Sequence, residues 1–176
     1  APEVGYSDYD GIDVEGKIVA LFGNAPAMLP SEERAYYSSG RTKAEEAVRR
    51  GAIGMIGLRS RRYDEFVPWD RIKAQAGIRP GMAWVTLTGE PSDYYPELLG
   101  SASISTEVAA ELFAGTPISF EEARDATEAS LPASVPLGFE VTLGKKTTHE
   151  VITSPNVVGI VPGTDPELKN EYIVYT

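Results

Sequence analysis

Residues 17–58 contain the best-marked pattern of the chain: an apolar run, a loop, a compact helical segment and a second apolar run. The two runs read KIVALF at residues 17–22 and IGMIGL at residues 53–58, and each has the length of a strand. Between them, small residues recur at helical spacing, which predicts a helix lying close to a sheet. These residues are Ala44, Ala47, Val48 and Gly51. The stretch therefore predicts a βαβ unit, with a right-handed crossover as the strong default.

The predicted helix has recognisable ends. Thr42 is suited to be the N-cap residue, and Glu45 stands three residues later, as a capping box requires. Gly51 follows the last periodic position, where a residue with positive φ commonly ends a helix. We therefore expect the helix to begin at Thr42 and to end at Gly51.

Further elements are predicted on both sides of this unit. The turn-forming residues 13–16 lead into the first strand, and the long loop 23–40 has room for a short helix starting at Ser31. Residues 82–88 alternate as in a strand. Two more helices are indicated by cap residues, which are Ser105 for one and the pair Ser119 and Glu122 for the other.

The last part of the chain is predicted to form strands. Residues 135–143 and 147–152 flank a Gly-Lys-Lys turn and are expected to form a hairpin. Residues 157–161 and 172–175 are nearly continuous apolar runs, as in strands that are buried on both faces. A buried strand at the end of the sequence suggests that its sheet lies in a longer protein, from which this chain is cut.

Composition limits the classes of function. The formal net charge is −10, so the overall field of the chain would repel nucleic-acid phosphates. There is no cysteine, which excludes disulfides, thiolate zinc sites and a cysteine nucleophile. No segment approaches the roughly 20 apolar residues of a membrane span.

The sequence shows no catalytic constellation. His149 is the only histidine, so a histidine pair for zinc is impossible within this chain, and a surface position is expected for it. No nucleophile elbow, phosphate-binding loop or dinucleotide motif is present. The acidic residues between 8 and 15 lack the spacing of a calcium loop. A stand-alone hydrolase using those carboxylates stays a remote alternative.

A contact surface is predicted on the segment 59–69, which is expected to be a long loop and carries both basic and aromatic residues. Arginine can pair with the carboxylates of a peptide, and aromatic rings can contact its side chains. The alternative is a solvated loop that folds over its own core, with Trp69 as its most buried residue. The candidate substrate-contact residues are Arg61, Arg62, Tyr63 and Trp69, with Tyr36 and Tyr37 behind them.

Two groups of motifs resemble known families. The first reads DGIDVEGKIVAL at residues 10–21, KAEEA at 43–47 and GAIGMI at 51–56, and it resembles the protease-associated domain. The second, SPNVVGIVPGTDPELKNEYIV at residues 154–174, is similar to the start of the catalytic domain of zinc aminopeptidases related to aminopeptidase Y and glutamate carboxypeptidase. Together the two resemblances cover nearly the whole chain, and their order is that of this peptidase family.

The resemblance implies a domain organisation and a fold. Residues 1–152 would form a protease-associated domain with a swivelling β/β/α fold, a mixed α+β arrangement of central sheets flanked by short helices. Residues 153–176 would form the first strands of a catalytic domain that stops before its zinc ligands. The chain itself would then hold no cofactor and no catalytic residue, whereas two zinc ions are expected in the parent enzyme.

The resemblance also implies a function. We expect a non-catalytic domain of a secreted or envelope-bound zinc aminopeptidase, periplasmic or extracellular, which gates or shapes substrate access. Its partners would be its own catalytic domain and a peptide or protein substrate, with self-association through the terminal strand as a further possibility. The alternative is a protein-binding module of a receptor or sorting protein without peptidase activity.

Overall fold

The structure is a computed structural model that describes residues 5–78 and 81–174. The described residues form three strands and six helices, all of them within the first of two compact units, Ala1–Lys145 and Lys146–Thr176. In chain order the elements are β1 (Ile18–Phe22), α1 (Ser31–Ser38), α2 (Gly40–Arg49), β2 (Gly54–Leu58), α3 (Arg61–Phe66), α4 (Trp69–Gln75), β3 (Gly100–Ser103), α5 (Thr106–Leu112) and α6 (Phe120–Glu128). The domain boundary at residues 152 and 153 stays a prediction.

The three strands form one parallel sheet in the order β1-β2-β3. Ile18 is aligned with Gly54 and Phe22 with Leu58, so β1 and β2 pair over their full lengths. This confirms the predicted βαβ unit, since α2 lies between the two strands in sequence. Strand β3 was not predicted, because its sequence GSAS has neither apolar alternation nor β-branched residues.

The sheet is covered on both faces, as a parallel sheet requires. On one face Ile56 and Leu58 pack with Phe113, which caps the C-terminus of α5, and with Phe120 of α6. Val19 packs with Val14, Ala47 and Ala52 in a second cluster. Ala47 has no exposed surface, which confirms that the stripe of small residues on α2 lies against neighbouring structure.

Most predicted helix ends are confirmed, and one is wrong. Ser105 accepts a hydrogen bond from the Val108 N–H, and Ser119 forms a reciprocal capping box with Glu122. The cap at Thr42 is wrong, because α2 already begins at Gly40 and Thr42 lies inside it. The physical reason is the short link from α1, in which a single extended residue separates one helix from the next.

Several predicted strands and loops are also wrong. Residues 59–69 were expected to be a loop, but they contain α3 and the start of α4, because Ser60 caps α3 through the Tyr63 N–H. Residues 82–88 contain only an isolated bridge between Val85 and Pro91. Alternation alone did not produce a strand there, since a strand needs a partner for its backbone groups.

The strands predicted for the last part of the chain are not formed in its described residues. Residues 135–143 are irregular, and their apolar side chains cover the sheet instead, so that a Cβ atom on Gly100 would meet Leu143 Cβ at 2.9 Å. Residues 147–152, 157–161 and 172–174 are irregular and exposed, while Tyr175 lies outside the described residues. These apolar runs lack a paired neighbour, and a run without a partner cannot form a ladder.

Two smaller observations complete the fold. His149 is exposed, as predicted. Throughout the described part of the chain, no helix combines the length and the apolar character needed to cross a bilayer.

We predict that Gly51→Ala destabilises the first unit. Gly51 has φ +80°, and a Cβ atom there would meet Glu15 Cγ at 3.0 Å. The left-handed backbone alone costs an alanine about 1–2 kcal/mol. Urea unfolding should therefore show a loss of at least about 1 kcal/mol in the free energy of unfolding.

The matched control is Gly23→Ala, because a Cβ atom on Gly23 meets nothing within 4 Å and Gly23 has no positive φ. This variant should stay within about 0.5 kcal/mol of the wild type. Equal stability of the two variants would contradict the prediction.

Candidate functional site

The basic and aromatic segment that follows β2 is organised around a buried arginine. Arg59 is only 2% exposed, and it comes directly after the last residue of β2. Its guanidinium donates hydrogen bonds to the Asp64 carboxylate and to the Val67 carbonyl. It also lies over the ring of Tyr63, with 4.8 Å to the centroid, and over the ring of Trp69 at 5.5 Å. Arg59 thus holds α3 and α4 together at the carboxyl end of β2.

A second buried arginine connects this segment to α6. Arg124 is 7% exposed, and its Nη2 donates to Asp64 Oδ2 at 2.7 Å. Asp64 therefore bridges the guanidinium groups of Arg59 and Arg124. Both arginines keep one buried nitrogen, Nη1 of Arg59 and Nε of Arg124, without a hydrogen-bond partner among the described residues. Arg124 also pairs with Glu121 at 3.2 Å, so Asp64 is the one carboxylate that the two buried arginines share.

Arg61, one of the predicted contact residues, is directed toward α6. Its guanidinium pairs with Glu121 and, at 2.6 Å, with Asp125, and Glu128 Oε2 lies 3.9 Å away. The hydrogen bonds that the Arg61 guanidinium donates to Asp125 and Glu121 raise its pKa above the ordinary value. Arg61 therefore already has carboxylate partners within the protein.

The other predicted contact residues lie in three places. Arg62 is exposed on α3, and its guanidinium lies 5.9 Å from the ring centroid of Phe66. Tyr63 is half exposed, and Trp69 is partly buried rather than fully buried, so the expectation for Trp69 is met only in part. Tyr36 and Tyr37 lie on α1 and contact each other edge to face, with centroids 5.0 Å apart.

The structure thus brings Tyr63 and Trp69 together through Arg59. This part of the site was missed in the sequence, where Arg59 was one of three basic residues in the segment 59–69 and Asp64 had no assigned role. One signal was available: a charged residue directly after a buried strand must find a partner nearby. No signal in the sequence indicated the role of Arg124, because this residue lies on α6, 60 positions from Asp64.

A second candidate site is a cleft of about 1150 Å³ within the first unit. Its walls include β1, residues of the 6–14 segment and residues of the 133–142 segment, and its size is sufficient for a small ligand or a short peptide. Tyr37 lines this cleft, whereas the other five predicted contact residues are not part of its wall.

Lys43 is the most unusual charged group of the cleft. Its Nζ donates to the Asn24 carbonyl oxygen at 3.0 Å, and no carboxylate of the described residues lies within ion-pair distance of it. Burial lowers the pKa of the Lys43 ammonium, and the Asp8 carboxylate offsets this effect only in part. Nearby, burial and a hydrogen bond to Asp8 raise the pKa of the Tyr6 hydroxyl. The cleft therefore holds a partly buried cation that forms no direct ion pair with the described residues.

These arrangements offer groups that can bind a ligand. The surface on α3 offers a guanidinium beside aromatic rings, and the cleft offers the ammonium groups of Lys17 and Lys43 near tyrosines. Within residues 5–78 and 81–174, no three His, Asp or Glu side chains are grouped so as to hold a metal ion.

No protein-family model, curated protein or solved structure matches this chain.

We predict that Asp64→Ala strongly destabilises the first unit. The change leaves Arg59 and Arg124 buried without their shared carboxylate, and breaking a buried pair in this way costs about 3 kcal/mol. The side chain of Asp64 is itself partly exposed, so the measured loss should be about 2–3 kcal/mol. Chemical denaturation monitored by tryptophan fluorescence measures it.

Asp70→Ala is the control, because it removes an aspartate of α4 whose pair with Lys73 is exposed. We expect a change below about 1 kcal/mol for this variant. If Asp64→Ala is as mild as Asp70→Ala, the buried arginines do not depend on Asp64.

Proposed function

We propose that this chain is a non-catalytic protease-associated domain of a zinc-dependent aminopeptidase, which shapes the access of peptide substrates to the active site of the parent enzyme. The observation that carries the proposal is the order of the two groups of motifs, one in residues 10–56 and the other in residues 154–174. A βαβ unit occurs in many folds, so the sheet alone would not distinguish this function from others.

The fold supports the proposal that the chain is a protease-associated domain. The motif residues 17–21 and 51–56 overlap β1 and β2, and the motif residues 43–47 lie on α2. A mixed α/β unit with a parallel crossover agrees with what the resemblance implies for this region. We propose that the unit is of the swivelling β/β/α type.

The surface on α3 and α4 supports the proposal that the domain acts on the access of peptide substrates. Arg62 and Tyr63 are exposed there, and Trp69 is partly buried. We propose that these residues touch the substrate, with the arginine bound to a carboxylate and the rings in contact with side chains. Arg61 would bind a substrate carboxylate only if its ion pair with Asp125 were broken. Tyr36 and Tyr37 would contact the substrate from α1.

The chemistry of peptide hydrolysis would belong to the rest of the parent enzyme. In this proposal two zinc ions are held there by ligands that this chain does not supply, and residues 153–176 are the start of the catalytic domain. The parent would act outside the cytoplasm, as a secreted or envelope protein. Self-association through the terminal residues stays a proposal as well.

A second candidate is a protein-binding module of a receptor or sorting protein. The exposed guanidinium and rings on α3 favour it equally, because they suit any peptide with an acidic or aromatic side chain. The encoded residues after 176 distinguish the two candidates. A His-x-Asp pair soon after that point favours the peptidase, and a transmembrane run favours the receptor.

The first test is deletion of residues 1–150 from the longer enzyme. We expect the preference for short peptides to weaken, since a domain beside the active site restricts which substrates enter. Aminopeptidase rates on peptides of increasing length measure this effect. Unchanged rates and an unchanged length preference would refute gating by this domain.

The second test is Arg62→Ala in the longer enzyme. Arg62 is exposed and forms no ion pair with other described residues, so its removal should not affect folding. We expect KM to rise by about threefold to tenfold, with kcat nearly constant, because loss of one charge-assisted contact weakens binding by about 1 kcal/mol. Arg34→Ala, at an exposed position of α1, is the control and should leave KM unchanged.

A further inference from the structure

We propose that the cleft beside β1 binds an extended peptide, which runs parallel to the strand and places its C-terminal carboxylate at Lys43. The proposal rests on the proposed function only in that both assign a peptide ligand to this chain. It adds a second binding site, separate from the surface on α3, and it names the end of the peptide that is recognised.

The first observation is the free edge of the sheet. In the order β1-β2-β3, β1 pairs with β2 on one side and with no other strand of the described residues on the other side. Alternate backbone N–H and C=O groups of a strand point to each side, so those on the outer side of β1 have no ladder partner. The strand reads IVALF, with no charge or proline to protect it. Such an edge is suited to pairing with an added strand.

The second observation is that the cleft follows this edge. All five residues of β1 line it, and further wall residues come from the 6–14 and 133–142 segments and from Ile56 and Leu58 of β2. Five residues of extended chain span about 17 Å. A volume of about 1150 Å³ is large enough for a short extended peptide alongside the strand. The space therefore has both the length and the backbone groups that strand addition requires.

The third observation fixes the direction of the peptide. Asn24 follows the last residue of β1 by two positions, and its carbonyl oxygen accepts the hydrogen bond from Lys43 Nζ. Lys17, the other lysine of the wall, is exposed and precedes the strand at its amino end, whereas the Lys43 ammonium thus lies at the carboxyl end of β1. A C-terminal carboxylate bound there places the peptide parallel to β1, the same direction in which β2 pairs with it. The carboxylate would also form the direct ion pair that Lys43 lacks among the described residues.

The walls of the cleft indicate which peptides fit. Four carboxylates lie on it, those of Asp8, Asp13, Glu46 and Glu140, together with the rings of Tyr6, Tyr9 and Tyr37. A second carboxylate in the peptide would be repelled by these groups, whereas neutral or basic side chains are compatible with them. The tyrosines offer contacts to apolar side chains. The ligand class is therefore a short peptide with a free C-terminus and without acidic side chains.

The experiment uses the whole 176-residue chain and two hexapeptides of one sequence, N-acetyl-Thr-Val-Thr-Val-Thr-Val, with either a free C-terminal acid or a C-terminal amide. Calorimetric titration should show the acid binding about tenfold or more tightly than the amide, as expected for loss of a charge-assisted hydrogen bond. Lys43→Gln should reduce this ratio to about one. Lys73→Gln, an exposed lysine of α4 outside the wall of the cleft, should keep the ratio of the wild type.

A second measurement, amide hydrogen exchange, shows where on the chain the peptide binds. Amide hydrogen exchange should slow in residues 18–22 when the acid peptide is bound, and it should slow less with a peptide that is N-methylated at alternate residues. Equal binding of acid and amide to a folded wild-type chain, or no protection of residues 18–22, would overturn the proposal. Neither outcome concerns the deletion test of the longer enzyme, so the proposed function and this inference can fail separately.

Discussion

The parallel ladder between β1 and β2 is the constraint on which the rest of the structure depends. Two parallel neighbours cannot be joined by a tight turn, so the chain must leave the sheet and return through a crossover that contains α2. A parallel sheet must also be covered on both faces. The cluster around Ala47 and the cluster of Phe113 and Phe120 with Ile56 meet that requirement. Both candidate sites are consequences of this arrangement, since one follows the end of β2 and the other follows the edge of β1.

Electrostatics determines what the surface on α3 can do. Arg59 and Arg124 are buried and share Asp64, so these charges maintain the arrangement of α3, α4 and α6 instead of meeting a ligand. Arg62 and Tyr63 of the same segment face solvent. A binding surface on two short helices needs such an internal anchor, because helices of six or seven residues are not stable alone.

The candidate sites illustrate what could be predicted from the sequence. The residue types on the segment 59–69 were sufficient to predict a contact surface, but they did not reveal that Arg61 pairs with Asp125 on a helix more than 60 residues away. The cleft was not predicted at all. Lys43 belongs to the motif KAEEA at residues 43–47, and nothing in the sequence assigned it a role of its own. Its position beside the carboxyl end of β1 depends on how α2 packs.

The sequence by itself determined the local structure of this protein. Periodicity and cap residues specified α2, α5 and α6 and the strands β1 and β2, since these signals act within a few residues. Only the tertiary structure decided which apolar runs became strands. Residues 135–143 cover the sheet without pairing and residues 157–161 remain exposed, although both have the composition of strands. The physical reason is that a strand is completed by hydrogen bonds to a distant neighbour, and no local pattern encodes whether that neighbour is present.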